Sequence, residues 1–289
     1  SDGFLDHNTG TSAKFKNPSA VTIVGSNLYV AEYGNHRIRK IVLSSGAVTT
    51  LAGSGSQGST DGTGTSATFK FPQAITSDGT NLYVADTNNN KIRKIDTSTG
   101  FVTTLAGSGT AGFTNATGTA AKFNYPSGIT TDGTNLYVAD IENHKIRKIV
   151  ISTGVVTTFA GSGSAGSANG TGASASFNKP RGITTDGTNL YVTDHDGHKI
   201  RKIVISTGAV TTLAGSGSAA SSDGTGTSAS FNGPIAISTD GTNLYVSENT
   251  GNKIRKIALR GTVTADVALH NLDDDTDVTV NLTSSDTGE

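Results

Sequence analysis

The 289-residue sequence contains no cysteine, methionine or tryptophan. Without cysteine there are no disulfides, thiolate metal sites or cysteine nucleophiles. No apolar run approaches the ~18 residues that cross a bilayer as a helix, so no membrane insertion is expected. No segment shows helical periodicity long enough to compete with a strand reading. The chain opens on Ser1 with no visible leader, which reads as a processed or truncated product. Net charge is only −1, yet it is segregated. Beyond Arg260 there is no Lys or Arg, while seven acids fall in 266–289, leaving a mildly basic body and an acidic tail.

What is abundant is glycine (37), threonine (45) and serine (31). That mixture favours many short strands and tight turns. The prolines are also informative by position. Pro18, Pro72, Pro126, Pro180 and Pro234 are spaced by 54 residues, and Tyr29, Tyr83, Tyr137, Tyr191 and Tyr245 keep the same step. Five tandem units therefore run without insertion or deletion, and the repeat dictates the architecture.

In the unit from Phe69 to Lys122, Gln73 to Ser77 is a short Ile/Thr strand closed by an Asp78-Gly79 turn. Asn81 to Asp86 (NLYVAD) is apolar on both faces, as expected of a strand covered on both sides. Lys91 to Ile95 (KIRKI) and Phe101 to Ala106 (FVTTLA) complete four strands, and a long Gly/Ser/Thr loop follows. Stacked four-stranded sheets in tandem make an all-β propeller of five blades, with six blades as the alternative. Residues 1–269 form the propeller, and 270–289 form an acidic extension with one surplus strand, Asp277 to Thr283.

The segment between the second and third strands carries a motif. Asn35-His36-Arg37-Ile38-Arg39-Lys40-Ile41 and Asn143-His144-Lys145-Ile146-Arg147-Lys148-Ile149 resemble NHL repeats. Weaker matches stand at Asn89-Asn90-Lys91, Gly197-His198-Lys199 and Gly251-Asn252-Lys253. The resemblance covers residues 1 to about 265 and implies a propeller. It leaves function open, because such propellers include scaffolds, RNA binders and a few enzymes.

Strand parity puts the Asn/His turn and the long loop on one face, where binding is expected. The candidates are Asn35, His36, Asn89, Asn90, Asn143, His144, Asp196, His198 and Asn252. The first strands, which line the channel, offer no convergent carboxylates or histidines for acid–base or metal chemistry, so no catalytic residue, metal or cofactor is expected. His36, His144 and His198 recur on separate blades, too dispersed for one zinc ion, and read as turn residues bonding their own hairpin, a role Asn also fills. Lys-Ile-Arg-Lys strands supply 15 of the 22 basic residues. They are spread evenly and lack interleaved aromatics, so they read as partners of Glu32, Asp86, Asp140, Asp194 and Glu248, and no nucleic-acid partner is expected. Asp273, Asp275 and Asp277 form a weak calcium pattern, and Asn115, Asn169 and Asn281 head glycosylation sequons.

The expectation is a non-enzymatic extracellular or cell-surface scaffold that binds a protein or glycan through its large-loop face. One alternative is a subunit of an extracellular filament or surface layer that self-associates through the C-terminal strand. The other is a metal-dependent lyase or hydrolase.

Overall fold

A computed structural model describes residues 3–259. It contains five antiparallel blades arranged around a channel, with each blade running from the channel outward. In blade two the strands are Pro72–Ser77, Asn81–Asp86, Lys91–Asp96 and Phe101–Ala106, in that spatial order. The inner strands are Pro18–Val24, Pro72–Ser77, Pro126–Thr131, Pro180–Thr185 and Pro234–Thr239. The fourth strand of blade five, expected at 262–269, and the surplus strand at 277–283 lie outside the described residues, as do Asp273, Asp275, Asp277 and Asn281.

The strands form where they do because both faces of each second strand are covered. Tyr83 and Ala85 of blade two pack with Ile92 and Ala106 against Leu136, Val138, Ile149 and Val156 of blade three. The same set recurs between blades one and two, three and four, and four and five. A strand with one polar face could not be used in this way. The Asp-Gly turn fixes the register. The Asp78 carboxylate accepts from the backbone N–H groups of Thr80 and Asn81 at 2.9 and 2.7 Å and from the Tyr83 hydroxyl at 2.7 Å, while Gly79 takes a φ of +91° that other residues adopt at a cost. Burial opposes ionisation of Asp78, but these bonds outweigh it and hold the carboxyl at about 2. Asp132, Asp186 and Asp240 repeat the arrangement.

Two features of the fold differ from the sequence reading. The long loops do not stand free on the binding face. Each runs over the outer edge of the next blade, where a two-residue strand such as Gly62–Thr63 adds to the outermost strand of blade two. The second difference is at the seam between blades five and one. Inner strands of successive blades pack together four times, but Pro234–Thr239 does not pack on Pro18–Val24 in that way. Leu28, expected to be buried like Leu82, Leu136, Leu190 and Leu244, is only half-buried, because it faces that seam.

Candidate functional site

The motif residues hold the blades together. The arginine at the centre of each Lys-Ile-Arg-Lys strand lies inside the protein, and Arg39, Arg93, Arg147 and Arg201 are fully buried. Each pairs with the acid that ends the second strand: Arg39–Glu32 at 3.0 Å, Arg93–Asp86 at 2.9 Å, Arg147–Asp140 at 2.9 Å, Arg201–Asp194 at 3.2 Å and Arg255–Glu248 at 2.6 Å. The same guanidinium reaches a loop residue, Asp6, Asp61, Asn115, Asn169 or Asp223, and so ties the loop to the blade. Burial raises the Asp194 carboxyl to about 6 against the pull of its backbone bond and of Arg201. These five charges are consumed internally and form no basic surface. Asn115 and Asn169 are exposed, but their Oδ1 atoms accept from Arg147 and Arg201 at 2.9 and 3.0 Å.

The Asn and His of the motif have separate tasks. Asn35, Asn89 and Asn143 donate to the buried acids Glu32, Asp86 and Asp140 and to loop carbonyls of Gly3, Gly58 and Gly112. In blades four and five glycine replaces this Asn, and the Ser167 and Ser221 hydroxyls donate to Asp194 and Glu248 instead. The next residue sits in the left-handed region, with φ between 49 and 54° in all five blades. It bonds to the following blade, not its own hairpin as the sequence reading held. The backbone N–H of Phe71 donates to His36 Nδ1 at 3.1 Å, that of Tyr125 to Asn90 Oδ1 at 3.0 Å, that of Lys179 to His144 Nδ1 at 3.1 Å and that of Gly233 to His198 Nδ1 at 3.3 Å. Histidine and asparagine are interchangeable here because both offer one acceptor at that reach. Burial, with help from Lys16, Arg37 and Lys70, pushes the His36 imidazole below its ordinary value, which keeps the accepting nitrogen unprotonated.

The residues left free of framework duty meet at the mouth of the channel, on the face of the Asn/His turns. A cavity of about 620 Å³ is lined there by Tyr33, Tyr125, Glu142, Lys179, Arg181, His195 and Asp196 among others. Four positions of the repeat supply most of it, one being the second residue of the turn (Asn88, Glu142 and Asp196). The pre-proline residue holds a left-handed φ at Asn17, Phe71, Tyr125, Lys179 and Gly233. The residue after the proline is Ser19, Gln73, Ser127, Arg181 or Ile235, and the first residue of the turn is Tyr33, Thr87, Ile141, His195 or Asn249. These positions vary from blade to blade, as do the long loops, whereas the second and third strands barely change. Aligning the five units would have found them. Of the nine candidates read from the sequence, Asp196 is placed in the mouth, seven are in the roles just described, and Asn252 is exposed at the seam.

Within the mouth, Asp196 accepts from Lys179 at 3.3 Å and lies 2.6 Å from His195 Nδ1. Burial lowers the His195 pKa, with Arg181 adding to the effect and Asp196 opposing it. Among the described residues no acceptor meets the Arg181 side chain; its Nε is buried and unpartnered, as are those of Arg37, Arg93, Arg147 and Arg201, and burial lowers its pKa against the opposing pull of Asp196. The site thus combines two aromatic rings, two cations, a His–Asp pair and the Glu142 carboxylate. Among the described residues, no three His, Asp or Glu side chains converge to hold a metal ion.

Five blades, the first four each latched to the next by a motif histidine or asparagine, define a β-propeller whose motif resembles NHL repeats. Comparison with known proteins agrees. The chain is 30% identical over 298 residues to NHL repeat-containing protein 2 of Homo sapiens, matching 89% of this chain and 40% of that protein. It is 29% identical over 264 residues to the chloroplastic Protein SUPPRESSOR OF QUENCHING 1 of Arabidopsis thaliana, matching 84% of this chain and 25% of that protein. The chain thus spans two fifths or less of these relatives. No family model matches it. Among solved structures, a chain of a nidogen/laminin complex superposes with a TM-score of 0.61 at 18% identity, over 86% of this chain and 81% of that one. Virginiamycin B lyase from Staphylococcus aureus superposes at 0.50 and 17%, over 88% and 70%. These structural likenesses show the fold alone.

The relatives correct one expectation. They are a chloroplastic protein and NHL repeat-containing protein 2, not extracellular proteins, which overturns the extracellular or cell-surface location read from the sequence. No helix among the described residues is long and apolar enough to cross a membrane.

Proposed function

We propose that this propeller is a non-catalytic interaction scaffold that takes a segment of a protein partner at the channel mouth. The observation that carries this reading is the division of labour within the repeat. The Arg–acid pairs of the second and third strands recur in every blade and are spent internally, while the variable positions around the proline and at the start of the turn gather at one mouth. Arg181 sets the ligand's chemistry. Its terminal nitrogens have no acceptor among the described residues and face the mouth, where a ligand can supply one. A carboxylate from an Asp, a Glu or a chain terminus does so, and Tyr33 and Tyr125 offer flat apolar area beside it. The His195–Asp196 pair resembles half of an acid–base machine, but neither a nucleophile nor a metal-binding cluster completes it. Glycan binding, a C-terminal strand that self-associates and sugars on Asn115 or Asn169 are subordinate readings for which the described residues offer no comparable feature.

The test is selection of peptides from a displayed library on the whole chain. Enriched peptides should carry an acid, and their binding should be lost with Arg181→Ala and with Tyr125→Ala while both variants melt with the parent. Enrichment of acid-free peptides, or binding indifferent to both substitutions, would overturn the assignment.

A further inference from the structure

The chain uses one kind of interface four times internally and leaves one copy of each half unused. In each filled interface a face bearing Tyr, Ala and Ile, such as Tyr83, Ala85 and Ile92, meets a face bearing Ile, Leu, Val and Ile, such as Ile129, Leu136, Val138 and Ile149. Blade five presents the first kind through Tyr245, Ser247 and Ile254. There Ile254 is 73% exposed and Tyr245 38%, whereas Ile92 and Tyr83 are fully buried. Blade one presents the second kind through Val21, Leu28 and Ile41, extended by Ile23. Val21 and Ile23 are 59% and 60% exposed, whereas Ile75, at the position of Val21, is buried. The channel, a cavity of about 710 Å³, continues sideways onto Tyr245, Ser247 and Ile254, so the described blades leave the ring open there.

The polar latch is split in the same way. Asn252 holds the latch conformation, with φ 49°, is exposed and, among the described residues, meets no backbone N–H of another blade. Asn17 has the pre-proline left-handed φ of 48°, and among the described residues no latch side chain accepts from its N–H. Both apolar halves and both halves of the hydrogen bond are therefore present and unpaired.

We propose that the occupant of this seam is a second copy of the same chain, with blade one of one copy stacked on blade five of the next. The choice of occupant follows from the repeat. Four internal examples show that blade five's exposed face packs on an Ile/Leu/Val/Ile face preceded by a pre-proline N–H. Among the described residues the free face of that description is blade one's own. The contact is heterologous, because blade five meets blade one and leaves one free face of each kind, so assembly proceeds head to tail. This surface is separate from the channel mouth, and the inference does not depend on the reading given to that site.

The experiment is sedimentation of the whole chain across its soluble concentration range, with Val21→Glu and Ile254→Glu. Both substitutions fall on exposed side chains, and thermal melts check that each variant stays folded. The parent should grow in mass with concentration, and each variant alone should remain monomeric. Mixed together, the two should form a one-to-one dimer and stop there, because Val21→Glu keeps an intact blade five and Ile254→Glu keeps an intact blade one. A parent that is monomeric throughout would overturn the proposal, whether because residues 260–289 cover the seam or because nothing does. So would variants that assemble as the parent does, or a mixture that stays monomeric.

Discussion

Leu28 and Leu136 occupy the same position of the repeat, two blades apart, and their replacement by alanine should give very different results. Leu136 is fully buried between blades two and three, against Tyr83, Ile92 and Ala106 on one side and its own sheet on the other. Removing its side chain beyond Cβ loses burial of three carbons and leaves a cavity that packed sheets close only in part, a cost of about 2–5 kcal/mol. Unfolding entropy of about 2.1 cal/mol/K per residue, taken over a chain of this length, converts that to a fall in Tm of about 3–8 °C. Leu28 is half-buried on the open seam, and no neighbouring blade leaves a void when it is trimmed. Its alanine variant should cost about 1 kcal/mol or less, under about 2 °C. Melting by circular dichroism at a protein concentration low enough to suppress self-association measures both. Equal losses at the two positions would refute the open seam. No loss at Leu136 would refute the stacking of blades itself.

Arg147→Met leaves the Asp140 carboxylate buried without its charge partner and should cost about 3–5 kcal/mol, read as a lowered urea midpoint. His36→Asn should be nearly neutral, since Asn90 does the same task, whereas His36→Leu strands the Phe71 N–H and should cost about 1–3 kcal/mol by the same assay. The His36 pKa is lowered on folding, so the folded state binds fewer protons. Its contribution is complete above the ordinary imidazole value of about 6.5 and is lost as pH falls below it. The difference in stability between parent and His36→Asn should therefore shift against the parent on acidification, and a flat difference from pH 8 to pH 5 would contradict the latch. Asp78 is depressed in the folded state to about 2, so its contribution stands above about pH 4 and disappears as pH falls towards 2. Tyr83→Phe, which removes one of its donors, should raise the acid midpoint of unfolding.

Much of this fold was legible because the repeat is exact in length. Five prolines at one spacing gave the blade count, and a strand such as NLYVAD, apolar on both faces, announced that each sheet is covered twice. Strand parity also placed the Asn/His turns together on one face, where the channel mouth opens. What escaped was everything that depends on a neighbouring blade. His36 reads as a turn residue within its own hairpin, and nothing local indicates that its acceptor nitrogen serves Phe71, 35 residues on. The pairing of Arg39 and its equivalents with Glu32, Asp86, Asp140, Asp194 and Glu248 was legible, but their burial by the stacked blades was not. The long loops look free until their edge strands and Asp61-type residues are seen to tie down the next blade. The seam was invisible for the same reason, since Val21 and Ile254 sit in strands that read like the others. The mouth was half legible. Asp196 of the turn stands among the candidates read from the sequence, whereas the pre-proline Tyr125 and Lys179, which reach the rim, do not.

The central claim is that binding resides in the variable residues at the channel mouth and not in the motif residues. Affinity of a selected acidic peptide for the parent and for Arg181→Ala, by titration calorimetry with melting curves alongside, tests it most directly. The account predicts a loss of about tenfold or more, in line with about 1.5–3 kcal/mol for a hydrogen bond to a charged group, with Tm unchanged. An unchanged affinity in Arg181→Ala, together with a loss in His36→Asn, would place binding on the motif instead and contradict it.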